Sequence, residues 1–428
     1  MHTMIAWLLR ATIVSLLLFP KIGVGAESGI LLGEICLIGL WAACSPAVLR
    51  FLRGEIGLAE PAWILAAFLA YFIAGSSILS GLRIGMFPVG AAVYVCRVLL
   101  YLVLVLGFTR LSDRDVAGEN WSRFIVRTIL LSAVLSTVHF AILYVMKRPP
   151  LVDILWTVQP GTRIIPIFGM KFSGAELGGL SVVGGGAANL LASLLLFGFV
   201  VAVVHGIKPS RAAVFLGFAL AVVGLAQSRG GLVTLSLAGA WWLQQVLANR
   251  RQPLSAISVA SFVVFGVIAT FALFRLAAVL PVFTRLSQSF VSGEFDGSSV
   301  ARFENYETVF EAWSADPVTM LLGLGYDEGV LQALTGWTLV ESWYLSLLFC
   351  GGLVGALLFS WFLFSVYLRR RENDWYRVLW IFIVLNSPVN WAVTGGDFLG
   401  MPTLVAVTLC LGLGFMARPS PRTEVGAA

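Results

Sequence analysis

The chain has 428 residues, of which 59% are hydrophobic and 12% charged, with a mean hydropathy of +0.93. A soluble domain carries roughly 25% charged residues, so this composition excludes an ordinary soluble fold and points to lipid as the solvent for most of the surface. The net charge of +6 does not signal nucleic-acid binding, because most basic residues fall in short loops between apolar runs, where membrane topology accounts for them.

A helix of roughly 20 apolar residues crosses a bilayer. Such runs fall, in chain order, at 4–20, 28–49, 57–80, 84–108, 123–146, 186–205, 211–227, 230–248, 254–280, 341–367, 377–392 and 399–416. They predict an all-α polytopic membrane protein with about 12 transmembrane helices. The first run admits two readings. Arg10, the apolar stretch Ala11–Pro20 and the small residues Val24-Gly25-Ala26 have the layout of a cleaved signal. Lys21 interrupts before that cleavage site and favours an uncleaved first helix. Further along, the runs at 211–227 and 230–248 form a tight hairpin around Ser228-Arg229-Gly230-Gly231.

Orientation follows from Lys and Arg in the loops. With the N-terminus in the cytoplasm, the inside loops carry Arg50 and Arg53, then Arg110, Arg114, Arg123 and Arg127, then Lys208 and Arg211, then Arg250 and Arg251, then Arg369, Arg370, Arg371 and Arg377, and finally Arg418 and Arg422. This pattern predicts both termini inside. Two outside segments are longer than connectors need to be. The organisation expected is therefore N-terminal transmembrane helices at 1–150, a first outer loop at 151–185 and central transmembrane helices at 186–280. A large outer loop at 281–340, between the ninth and tenth spans, is followed by C-terminal transmembrane helices at 341–416 and a short inner tail at 417–428. The large loop carries Phe303, Tyr306, Val309, Phe310 and Trp313 at helical spacing, which predicts helices packed on the outer face of the membrane. No sheet-forming alternation or internal repeat stands out.

The five cysteines lie in apolar runs and the three histidines, His2, His139 and His205, are scattered, so no metal-ligand spacing is present. The sequence has no phosphate-binding G-x-x-x-x-G-K-[ST] loop of an ATP-driven pump.

Twelve basic residues are not explained by the inside loops: Arg10, Lys21, Arg83, Arg97, Lys147, Arg148, Arg163, Lys171, Arg229, Arg275, Arg285 and Arg302. Lys21, Arg83, Lys147 and Arg148 stand at expected membrane borders, where long basic side chains snorkel. Arg10 and Arg97 snorkel in the same way or pair with a buried carboxylate. Arg229 differs: it lies in a turn between apolar helices, two glycines follow it, and a helix N-terminus aims free N–H groups at the same place. Converging arginines suit a diphosphate, because guanidinium stays charged and matches phosphate oxygens bidentately.

The turn Gln227-Ser228-Arg229-Gly230-Gly231 resembles the signature of the O-antigen ligase and polysaccharide polymerase superfamily. A second block, Arg302, Trp313, Pro317 and Gly323-Leu324-Gly325, resembles that family's Arg, Trp, Pro and Gly-x-Gly. A third, Glu341-Ser342-Trp343-Tyr344-Leu345 followed by Gly352-Leu353-Val354-Gly355, is similar to its His-Asn-aromatic-Leu and Gly-x-x-Gly. Upstream, Asn189-Leu190-Leu191-Ala192 resembles its Asn-containing helix opening. Ligases of the family carry His where this chain has Glu341, which resembles a repeat-unit polymerase more than a ligase.

The resemblance implies a membrane glycosyltransferase in a bacterial inner membrane with its active site facing the periplasm. A polyprenyl-diphosphate-linked oligosaccharide would serve as donor and acceptor. A flippase and a chain-length regulator are the expected partners, with membrane lipid around the protein and no nucleic acid; neither metal nor other cofactor is needed, since the leaving group is already an activated diphosphate. In this reading Arg229 and Arg302 hold the diphosphate and Glu341 takes the acceptor hydroxyl's proton. Arg163, Lys171, Arg285, Ser228, Gly230 and Tyr344 contact substrate, and Trp313, Trp337 and Trp343 are further stacking candidates. Asp397 is a weaker candidate, and Glu34 is expected to pair with a basic residue. The nearest rival is a ligase that transfers finished glycan to lipid A core or another acceptor. The rival from another class is a polysaccharide or lipid transporter, which predicts inverted repeats with broken helices.

Overall fold

The fold comes from a computed structural model. The structure describes residues 2–18, 21–23, 29–53, 60–75, 78, 81–82, 85, 100–108, 121–146, 162–165, 170–173, 182–183, 186–225, 229–248, 297–325, 328–337, 340, 342–388 and 403–416. Every run expected to span overlaps a helix, except 254–280, which lies outside the described residues. In chain order the helices are α1 (His2–Leu18), α2 (Leu32–Leu52), α3 (Glu60–Leu69) with a π-helical extension Ala70–Gly75, a helical stretch at 100–108, α4 (Trp121–Met146), α5 (Gly186–Val204), α6 (Pro209–Leu225) and α7 (Arg229–Ala248). They continue with α8 (Gly297–Ser314), α9 (Pro317–Leu322), α10 (Glu328–Thr335), α11 (Trp343–Arg369), α12 (Asp374–Asn386) and α13 (Thr403–Met416). Within α7 and α11, Gly230–Ala248 and Trp343–Arg369 are each long and apolar enough to cross a membrane.

Helix α5 organises the bundle. Its sequence is apolar around its whole circumference, the pattern of a helix with no solvent face. Residues 191–202 are accordingly buried without interruption. Around it pack α4, α6, α7, α12 and α13. Phe197 meets Phe382 of α12 edge-on with centroids 5.6 Å apart, and Phe199 lies 5.8 Å from Phe215 of α6. One polar contact crosses this core: Ser193 Oγ donates to Asn386 Oδ1 at 3.0 Å.

Helix α11 runs against α3 and shows the opposite pattern, a split face. Leu347, Gly351, Gly355, Phe359, Phe362 and Val366 are buried. Leu353, Leu357, Trp361, Phe364 and Leu368 recur at i, i+4, i+8, i+11 and i+15 and are exposed, Leu357 at 70%. An apolar stripe along a 27-residue helix is costly in water and costless in hydrocarbon, so this face suits lipid. Phe68 packs on Phe359 with centroids 5.3 Å apart, and Arg369 pairs with Glu60 at 2.9 Å.

Loops expected on one side of the membrane meet at one end of the bundle. At the Arg369 end, Glu60 meets Arg369, His205 lies against Trp375 (centroids 4.6 Å apart), and Asn373 Nδ2 donates to the Gly414 carbonyl at 2.8 Å. At the other end, Tyr344 Oη donates to the Ser387 carbonyl at 3.3 Å.

Two findings differ from expectation. The sequence shows no sheet-forming alternation, yet strands pair in two places. β1 (Lys21–Gly23) pairs antiparallel with β2 (Gly29–Leu31), and β3 (Thr162–Ile165), β4 (Met170–Ser173) and β5 (Val182–Val183) form an antiparallel sheet within the first long loop. Strands of two to four residues are too short to display a period of two. The second finding concerns α8, whose buried face is Asn305, Val309 and Trp313, while Phe303 and Phe310 point outward. The expected stripe mixed two faces of one helix.

The tight centre of the bundle makes a prediction. A Cβ on Gly198 of α5 would lie 3.0 Å from Ile129 Cγ2 and 3.2 Å from Phe215 Cζ, whereas Gly217 of α6 has nothing within 4 Å. Gly198→Leu overpacks the core and should cost about 1–3 kcal/mol, read as a lower thermal midpoint in detergent; Gly217→Ala should leave the midpoint unchanged or raise it.

Candidate functional site

The three sequence blocks reach the site by different elements. Arg229 is the first residue of α7, and Gly230 and Gly231 behind it are buried. The first N–H groups of α7 have no partner within the helix, so Arg229 stands where a helix end favours an anion. Ser228 lies outside the described residues.

Arg302 lies in the second turn of α8, half-buried and engaged, on the face that continues through buried Asn305 and Val309. Glu304, Glu307 and Glu311 are exposed. Helix α8 packs against α11, α9 and α10, and this packing holds Arg302 within the same cluster of helices. Asp316 then ends one helix and begins the next. Its carboxylate accepts from the Thr319 N–H and from Thr319 Oγ1, both at 3.0 Å, and Pro317 occupies the first turn, where its missing N–H costs nothing.

The Gly-x-Gly and Gly-x-x-Gly blocks meet each other. Gly323 caps α9 at φ 78°, ψ −179°, and Gly352 breaks α11 at φ 59°, ψ −164°. Both conformations belong to a region that glycine alone adopts readily. The break frees carbonyls of α11, and the segment after α9 uses them: Leu324 N–H donates to the Phe349 carbonyl at 2.7 Å, and Gly325 N–H to the Cys350 carbonyl at 3.0 Å. The approach is backbone to backbone. A Cβ on Gly323 would fall 2.3 Å from the Cys350 carbonyl oxygen, and one on Gly352 would fall 2.5 Å from the Gly323 nitrogen. Two motifs that read as separate in sequence are one seam, joining the helix that follows Arg302 to the helix that follows Glu341.

The remaining candidates divide. Tyr344 is exposed at 39%, lies against Trp343 (centroids 5.9 Å apart) and ties the start of α11 to the end of α12 through Ser387. Helix α12 packs in turn on α7, which Arg229 opens. Trp343 and Trp313 are buried, and their rings pack on Phe359 and Phe310, at 4.7 Å and 5.5 Å between centroids, so neither offers a free face to a sugar. Trp337 is half-buried beside α10. Arg163 and Lys171 lie on β3 and β4, but the register pairs Arg163 with Phe172 and Lys171 with Ile164, so they are not cross-strand partners. Glu341, Arg285 and Asp397 lie outside the described residues, as does the environment of the Glu34 side chain. Among the described residues no group of His, Cys, Asp and Glu could hold a metal ion.

Sequence reasoning missed Tyr71, whose hydroxyl donates to the Leu322 carbonyl at the end of α9 at 2.9 Å. It also missed Asn386, buried in the core against Ser193. A Tyr in an apolar run reads as an interfacial ring, and an Asn near a helix end reads as a cap, so neither carried a distinguishing signal.

The seam is directly testable. Gly323→Ala and Gly352→Ala should each lose at least about 1–3 kcal/mol from backbone conformation alone, seen as a lower thermal midpoint in detergent. Gly355→Ala, whose Cβ would meet nothing nearer than Tyr71 Cε1 at 3.6 Å, should unfold like the parent.

Residues 212–360 match the family model described as O-antigen ligase. The match begins in α6, ends in α11 and contains Arg229, Arg302, Glu341 and the glycine seam. No curated protein matches the chain.

Proposed function

From the O-antigen ligase domain at residues 212–360, which supports membership of the O-antigen ligase and polymerase superfamily, and from the helices of membrane-spanning length, we propose that this membrane protein is a repeat-unit polymerase. It joins polyprenyl-diphosphate-linked oligosaccharides into a surface polysaccharide, in an inner membrane, with both termini cytoplasmic and the Tyr344 end of the bundle facing the periplasm. The observation that carries the glycan-transfer reading is the coincidence of the matched segment with Arg229, Arg302 and Glu341. The residue that favours a polymerase is Glu341, which replaces the ligase-type His. A ligase remains the second reading, because the matching model describes one.

The chemistry is a single displacement. The acceptor's sugar hydroxyl attacks the anomeric carbon of the donor glycan as the bond from that carbon to the diphosphate oxygen breaks. The bonding electrons leave with polyprenyl diphosphate, and the hydroxyl proton passes to the Glu341 carboxylate. A partly desolvated carboxylate is a stronger base, and a base within hydrogen-bond reach is what the step requires. Attack from the face opposite the leaving group inverts the anomeric centre. Negative charge grows on the diphosphate as the bond breaks, and preorganised guanidinium groups at Arg229 and Arg302 stabilise it more in the transition state than in the ground state. That positive charge supplies what a metal ion supplies elsewhere. Arg163, Lys171 and Arg285 are outlying anion contacts, and Ser228, Gly230 and Tyr344 shape the substrate groove.

Purified protein supplied with a lipid-linked repeat unit should make polymer. Arg229→Ala and Arg302→Ala should each lower the rate roughly 100–1,000-fold, and Glu341→Gln should abolish turnover while donor binding persists. Polymer of normal length and amount from all three variants would sink the assignment. Transfer to a lipid A core acceptor without chain growth would establish the ligase instead.

A further inference from the structure

The matched segment begins at residue 212, but the glycine seam inside it is held by a residue from far upstream. Helix α3 ends in a π-helical turn, Ala70–Gly75. Such turns recur at functional sites because they re-aim side chains within an otherwise regular helix. Here the turn presents two consecutive aromatic residues to α11 and α9. Phe72 packs so closely on Gly351 that a Cβ there would fall 2.8 Å from Phe72 Cδ2. Tyr71 lies over Gly355 and reaches past α11 to donate its hydroxyl to the Leu322 carbonyl at 2.9 Å. Leu322 is the last residue of α9, where a helix leaves its carbonyls without backbone partners. The next three residues, Gly323 to Gly325, form the seam with Phe349 and Cys350.

We propose that Tyr71 is a positioning residue for glycan transfer. Its phenol fixes the end of α9 against the break in α11, and so fixes α8, which carries Arg302, against α11, which Glu341 precedes in sequence. The inference rests on the glycan-transfer reading. Arg302 and Glu341 stand 39 positions apart in sequence, and α8, α9 and the seam tie the helix that carries Arg302 to α11. The seam contributes two backbone hydrogen bonds, and Tyr71 contributes a third from outside the matched segment. Small displacements of groups that must act together are expensive in rate, on the order of 100-fold for about 1 Å. Loss of the phenol therefore acts on turnover rather than on donor affinity.

The test uses the full chain in detergent or proteoliposomes with a lipid-linked repeat unit. Tyr71→Phe keeps the ring over Gly355 and removes only the donor. It should lower kcat about 10-fold or more, with KM and the thermal midpoint unchanged. Spin labels at Glu311 on α8 and Leu357 on α11, both exposed, should report a broadened distance distribution in the variant. Wild-type kcat in Tyr71→Phe overturns the proposal. So does a loss of activity that only tracks loss of folded protein, with kcat per folded molecule intact. Arg302→Ala in the same assay separates the two ideas: full activity there overturns the transfer site itself, whereas an inactive Arg302→Ala beside a fully active Tyr71→Phe overturns only the role of Tyr71.

Discussion

Two glycine backbones meet at Gly323 and Gly352 with no side chain between them, and the arrangement of the loop helices depends on that contact. A helix can be broken in many ways, but most breaks leave carbonyls that need new partners. Here the partners are the N–H groups of Leu324 and Gly325. The break in α11 and the end of α9 therefore satisfy each other. Close to the seam lie α8, which packs on both helices it joins, and Tyr71, whose hydroxyl meets the Leu322 carbonyl.

The bundle beneath is held differently. In hydrocarbon the hydrophobic effect does not drive helices together, so packing and a few interior polar contacts must. Helix α5 has the small residues and aromatic neighbours for such packing, and the Ser193–Asn386 hydrogen bond adds a directional contact where a shape fit alone would permit sliding. The Glu60–Arg369 pair is partly exposed, and pairs of that kind contribute roughly 0–1 kcal/mol. It marks which helix ends lie together more than it holds them there.

Much of the helical plan was legible because a bilayer demands length and apolarity, and both can be read along a chain. The burial of α5 followed from its lack of any polar face. The short strands around Arg163 and Lys171 were not legible, since two to four residues carry no period. The face of α8 was misjudged because Phe303 and Phe310 are apolar for a reason other than burial in protein. In the candidate site, the place of Arg229 at a helix start was readable from the glycines that follow it, whereas Arg302 lies one turn inside α8 rather than opening it. The seam was not, because a glycine signals freedom of backbone without naming the backbone it will approach. Tyr71 was invisible for a related reason: a π turn leaves no mark in composition.

The encirclement of α5 bears on how the protein is made. α4 precedes it in synthesis, but α12 and α13 emerge about 170 or more residues later, after α6 to α11. Until then α5 must wait in the bilayer with one flank against lipid, and Ser193 must satisfy its hydroxyl within its own helix. Asn386 on α12 then adds the bond across the bundle. The matched segment thus begins after the central helix and ends before α12 and α13, the last two helices to pack on it. The matched segment and the bundle packed around α5 are therefore different stretches of the chain.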